Sequence, residues 1–124
     1  MRSEIPDDLR RFILTSVPSV PFLEAMLLLR SAPGAAWDAA EVARRLYIPT
    51  QRAEALLAQL GDAGFAAPAP PTWRWAPAAE AVGFVDALAS HYADNLVAVT
   101  ELIHTRQERR AHQFADAFRL RKDR

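Results

Sequence analysis

The residues with the most evident capacity for chemistry lie in the last third of the chain. His91 and Asp94 are three apart, Glu101 and His104 form a Glu-x-x-His pair, and Glu108 and His112 continue the row. In helical bundles such pairs ligate two metal ions, but those sites draw their ligands from four helices. Here one helix carries the whole row and no second Glu-x-x-His exists, so a solvated polar face is expected and no metal site is assigned. The chain has no cysteine, which removes disulfides, thiol nucleophiles and cysteine-ligated zinc together. The three histidines are scattered, and neither a glycine-rich phosphate loop nor a nucleophile motif occurs. Thr15-Ser16, beside Pro18, reads as the end of a helix. No catalytic residue and no cofactor are assigned, and an enzyme is not expected.

The charge pattern points to a partner. The 124 residues are 51% apolar and 24% charged, enough for one domain with an appendage and too apolar for a disordered chain. The longest strongly apolar stretch, Phe22 to Leu29, is interrupted by Glu24 and falls far short of the ~20 residues that cross a bilayer. The N-terminus opens with Arg2, Glu4, Asp7 and Asp8 and has no apolar signal core, so a cytoplasmic location with no membrane partner is expected. The net charge is zero but unevenly spread: residues 104–124 hold seven basic and three acidic side chains, a surplus of +4. Within this tail Phe114 and Phe118 are four apart, beside Arg119 and Arg121. That set is a candidate partner-binding segment, either a short docking helix or an arm that tracks DNA.

The elements that must position these groups are legible from caps and periodicity. Pro6-Asp7-Asp8 starts a short helix that runs to about Ser16, with Leu9, Phe12 and Ile13 on one face. A core helix follows from Pro21, apolar over most of its circumference, and Ser31-Ala32-Pro33-Gly34 stops it. Asp38 and Glu41 form a capping box, flanked by Trp37 and Val42 as a hydrophobic staple. The short helix that they open has Val42, Ala43 and Leu46 inward, and Tyr47-Ile48-Pro49 makes the turn. A fourth helix, residues 49–62, buries Ala53, Leu56, Leu57 and Leu60, and Gly64 lies past its end. Phe65-Ala66-Ala67 and Trp73-Arg74-Trp75-Ala76 flank the proline-rich tip Pro68-Ala69-Pro70-Pro71-Thr72 and read as a small hairpin. A long final helix begins at Pro77 with the stripe Phe84, Val85, Leu88, Tyr92, Leu96, Val99 and Ile103. The expected organisation is residues 1–76 as one domain and residues 77–124 as a C-terminal helix with its basic tail.

The run Ala40-Glu41-Val42-Ala43-Arg44-Arg45-Leu46-Tyr47-Ile48-Pro49, followed by Ala53, Leu56-Leu57, Leu60 and Gly64, resembles the core of winged helix-turn-helix transcription regulators of the MarR, ArsR and PadR type. The resemblance covers about 55 residues. It implies a mostly α fold with a small β-hairpin, a winged helix-turn-helix plus a long C-terminal helix. It makes residues 49–62 the recognition helix and residues 65–76 the wing, and it implies a transcription regulator that binds duplex DNA. Thr50, Gln51 and Arg52 would then face bases, since Gln and Arg can make bidentate pairs with adenine and guanine. Arg44, Arg45 and Arg74 would hold phosphates. The C-terminal stripe, longer than one such domain easily covers, favours a homodimer over docking onto the body.

A second reading uses the same fold for protein contact. The wing tip carries prolines and no Lys or Arg, Glu54 and Asp62 lie on the recognition helix, and phosphate neutralisation dominates nonspecific DNA affinity. An adaptor would bind a protein through Trp73 and the Phe114–Phe118 tail, without DNA. Trp73 and Trp75 share strand parity, and both are expected to pack on the body.

Overall fold

The computed structural model describes residues 5–107. Helix α1 (Asp7–Ser16) carries Asp7 and Asp8 in its first turn and buries Leu9 and Ile13. Helix α2 (Val20–Ser31) begins at Ser19, whose hydroxyl accepts from the Phe22 N–H at 3.2 Å. Its Phe22, Leu23, Ala25, Met26 and Leu29 are buried, so it is the central core helix. Helices α3 (Ala39–Leu46) and α4 (Thr50–Asp62) follow, then an antiparallel pair, β1 (Ala66–Ala69) and β2 (Thr72–Trp75). A 3₁₀ turn at Ala79–Ala81 leads into α5 (Val82–Asp94), and α6 is helical from 96 to 107. The fold is mostly helical with one small two-stranded sheet.

One expected element differs. The C-terminal region is not one long helix, because it breaks at Asn95, where φ is −145° and ψ is 62°. The Asn95 N–H closes α5 by donating to the His91 carbonyl at 2.7 Å, and the Asn95 carbonyl opens α6 by accepting from Val99 N–H at 3.3 Å. Asp and Asn are weak in helix interiors because their short polar side chains compete for the backbone. The break lets both halves serve one core: Val85 and Leu88 from α5 are buried together with Val99, Leu102 and Ile103 from α6. Most of the apolar stripe is therefore covered inside the monomer. Leu96, in the first turn of α6, is 52% exposed instead.

The hairpin also gains a contact that periodicity did not show. Trp37, just ahead of α3, bridges β2: its N–H donates to the Trp73 carbonyl at 2.7 Å and its carbonyl accepts from Trp73 N–H at 2.8 Å. Both backbone groups of Trp73 thus point away from β1. Its partner on β1 is Pro68, which has no N–H to offer, so the proline sits where the ladder needs none. Trp73 and Trp75 both pack against the core cluster, with Trp75 stacked on Phe65 at 6.4 Å.

Trp73 also lies against Gly61 of α4, where an added Cβ would stand 2.5 Å from Trp73 Cζ3. Alanine is the better helix former by up to ~1 kcal/mol, but overpacking against a ring costs about 1–3 kcal/mol. Gly61→Ala is therefore expected to lower the urea midpoint, with altered tryptophan fluorescence. A midpoint that rises would show that the ring gives way freely.

Tyr92 titrates above the ordinary tyrosine range, first because burial disfavours the phenolate and second because the Glu24 charge repels it. The folded state therefore holds the proton more tightly than the unfolded chain does. Stability from this source is complete below about pH 10, the usual tyrosine value, and is lost as pH rises through the higher folded pKa. Tyr92→Phe should flatten the alkaline fall of Tm, and an unchanged profile would exclude this contribution.

Candidate nucleic-acid interface

Helix α3 is placed by its first residue boundary. The Asp38 carboxylate accepts from the Glu41 N–H at 2.7 Å, and Trp37 and Val42 on either side of that boundary are buried. The reciprocal half of the expected capping box is not made, because the Glu41 side chain turns to its own helix. It pairs with Arg44 and, at 3.1 Å, with Arg45. The Arg45 guanidinium also stands over the Trp37 ring, 5.9 Å from its centroid.

Helix α3 packs on α4 more extensively than any other helix pair does. Val42 and Ala43 face it from α3, and Ala53, Leu56, Leu57 and Leu60 are buried on α4. Ala43 is small where the backbones approach. It also anchors the turn, since its carbonyl accepts from the N–H groups of Tyr47 and Ile48. Tyr47 takes the left-handed conformation, with φ 58° and ψ 46°. Pro49 then caps α4, and its carbonyl accepts from Arg52 and Ala53 N–H. With the apolar positions turned inward, Thr50, Gln51, Arg52, Glu54 and Ala55 are all exposed.

The six expected DNA-contact residues are thus all on the surface, in two groups. Thr50, Gln51 and Arg52 share the first turn of α4, and neither Gln51 nor Arg52 has a side-chain hydrogen bond or ion pair among the described residues. Arg44 and Arg45 end α3, just across the turn, and both are exposed though bound to one carboxylate. Arg74 is exposed on β2, between the two inward tryptophans. Among the described residues no side-chain hydrogen bond or ion pair ties it to the α4 group. The hairpin reaches α4 through Trp73 and Gly61, so the half-buried Trp73 is used largely inside the molecule. Phe114, Phe118, Arg119 and Arg121 lie outside the described residues.

The hairpin-tip residues Pro68, Ala69, Pro70 and Pro71 are exposed and offer no positive charge. His91 is half-buried on α5, whereas Glu101 and His104 are exposed on α6, beyond the Asn95 break. Among the described residues no three His, Cys, Asp or Glu side chains converge as metal ligands. Glu108 and His112 lie outside that range.

Comparison with known protein families, with curated proteins and with solved structures returns no significant match to this chain.

Two features of the surface escape a reading of residue types. The Glu41 pairing halves the effective charge of the α3 arginines, and only the i, i+3 and i, i+4 spacing hints at it. Tyr47 is the other: the sequence marks it as a turn residue, yet its side chain is 95% exposed. Glu41→Gln is expected to cost less than about 1 kcal/mol, as exposed ion pairs do, while freeing both guanidinium groups. Retention on heparin–agarose should move to higher salt. Unchanged elution would show that the carboxylate does not restrain them.

Proposed function

We propose that α3, the turn and α4 form a helix-turn-helix, that the β1–β2 hairpin is its wing, and that the protein binds duplex DNA as a regulator of transcription. The observation that carries this reading is the first turn of α4. There Thr50, Gln51 and Arg52 project from a helix whose opposite face is locked by four buried side chains. A rigid helix with outward Gln and Arg at its N-terminal end is suited to the major groove, where both side chains discriminate bases by paired hydrogen bonds. The same turn carries no acid and no side-chain cap. The Thr50 and Gln51 N–H groups, ahead of those that bond to Pro49, and the positive end of the helix dipole favour a phosphate.

The remaining parts take supporting roles in this reading. Arg44, Arg45 and Arg74 hold phosphates, with Arg44 and Arg45 exchanging the Glu41 carboxylate for the DNA backbone. A homodimer through the C-terminal helices would present two copies of α4. The exposed Leu96 and Val97, 52% and 58% accessible, support a seam on α6. No single helix among the described residues is long and apolar enough to span a membrane. We place the protein in the cytoplasm, without a cofactor.

Exposure of the whole apolar wing tip supports a second reading, an adaptor that binds a protein through the wing and the C-terminal tail. Salt separates the two. Fluorescence anisotropy with a pool of genomic duplex fragments should show selective binding that weakens steeply as salt rises, because each phosphate contact releases counterions. The Gln51→Ala/Arg52→Ala double variant should lose the preference among fragments, at about 1–3 kcal/mol per bidentate contact. Binding that is unselective and vanishes with modest salt would sink the regulator reading and favour the adaptor.

A further inference from the structure

Tyr47 occupies a position where its residue type is unfavourable twice over. It ends α3 in the left-handed region, at φ 58°, where a Cβ crowds the backbone and glycine or asparagine is the usual occupant. It is the only non-glycine residue with positive φ among the described residues. Aromatic residues are normally among the most valuable to bury, yet Tyr47 is 95% exposed, more than any other large apolar residue described. Among the described residues it makes no ring contact and no side-chain hydrogen bond. The fold gains nothing from this side chain that glycine would not supply.

The left-handed turn does gain something for the ring. It leaves Tyr47 in solvent, so a phenol hydroxyl is free for a partner at the junction in the chain between the Arg44-Arg45 pair and the Thr50-Gln51-Arg52 turn. Three guanidinium groups therefore lie within five positions of Tyr47 in the chain. A phenol O–H is an uncharged donor, and a phosphodiester oxygen is a strong acceptor. We propose that Tyr47 is a DNA-contact residue whose hydroxyl donates to a backbone phosphate beside the recognition helix. This inference rests on the DNA-binding reading given above. The contact fixes the entry position of α4 on the duplex and carries no sequence information itself, as phosphate contacts generally do.

A neutral donor has a signature that separates it from the arginines. It adds affinity without displacing a counterion, so its loss lowers the binding constant equally at every salt concentration. Loss of Arg74, assigned above to a phosphate, would instead reduce the slope of log K against log salt by about 0.9. The test compares wild type, Tyr47→Phe, Tyr47→Gly and Arg74→Ala in the full chain, by anisotropy on duplex fragments over a salt series and by thermal unfolding. Tyr47→Phe is expected to bind about tenfold more weakly on a parallel salt line, with Tm unchanged. Tyr47→Gly is expected to bind at least as weakly while Tm holds or rises, since glycine relieves the left-handed strain.

Wild-type affinity in both Tyr47 variants, with the salt slope still reduced in Arg74→Ala, would overturn this inference and leave the DNA reading standing. Weak binding by Tyr47→Gly with full binding by Tyr47→Phe would overturn the hydroxyl–phosphate contact. A marked fall of Tm in Tyr47→Gly would make the residue a fold element and also overturn it. No duplex binding by wild type even at low salt would overturn both the inference and the reading beneath it.

Discussion

The arrangement depends on Phe65. This one ring, 2% exposed, meets Phe12 of α1 and Phe22 of α2 edge-on at 6.1 Å and stacks on Trp75 of β2 at 6.4 Å. Its backbone is held as firmly. The Phe65 N–H donates to the Leu60 carbonyl near the end of α4, and its own carbonyl accepts from Ala76 N–H at the base of the hairpin. Gly64, at φ 85°, makes the turn from α4 that brings the ring inward. One residue thus joins the end of α4, both strands and the two N-terminal helices. Aromatic pairs of this kind add roughly 0.5–1.5 kcal/mol each beyond the area they bury. The orientation of α4 relative to the hairpin is consequently a property of the core, and the exposed turn at Thr50–Arg52 is carried on a frame with little freedom to tilt.

How much of this was legible in the sequence follows from the range over which each signal acts. The Asp38 cap, the Tyr47-Ile48-Pro49 turn and the spacing of Ala53, Leu56, Leu57 and Leu60 are local. The helices that they define were expected with bounds close to those observed. The break at Asn95 was missed because the apolar stripe runs through it unbroken. Only packing reveals that α5 and α6 each do better by meeting the core separately. The Trp37–Trp73 bridge was missed for a related reason. A single residue pairing with a strand 36 positions away has no periodicity to betray it, although it explains how Pro68 is tolerated inside β1. In the candidate site, the exposed α4 residues followed from the buried ones by elimination. The Glu41 pairing and the conformation of Tyr47 depend on side-chain and backbone geometry that residue types do not encode.

The electrostatics of the α3–α4 surface are better read as poised than as basic. Glu41 shares one negative charge between two guanidinium groups on an exposed face, where ion pairs are worth at most about 1 kcal/mol. A duplex presents a negative charge about every 1.7 Å along its axis, so exchange of the carboxylate for phosphates would cost little. Until then, the pairing keeps the surface near neutral. Such a surface disfavours indiscriminate adhesion to polyanions, and under the DNA-binding reading it would shift the weight of recognition from bulk attraction toward the side chains of the first α4 turn.

The C-terminal helices bear on how two copies of that turn would be spaced. Helix α6 runs beside α1, with Ala98, Glu101 and Leu102 facing Asp7, Arg10 and Leu14 across an open cleft of about 520 Å³. At its other end the Gln107 side chain donates to the Pro18 carbonyl at 3.3 Å. There Arg106 shares a second cleft with Gln59 and Asp62, near the end of α4. Thus α6 bonds to the α1–α2 junction and lines a cleft together with the end of α4. A seam built on its first turn, around Leu96 and Val97, would relay the dimer geometry to α4 through packed helices with no intervening linker. Half-sites on B-DNA must be separated by about 34 Å or a multiple of it for both helices to enter the groove from one side. Under the dimer reading that constraint demands a rigid path from seam to α4, and α6, which joins the core separately from α5 after the Asn95 break, would form part of it.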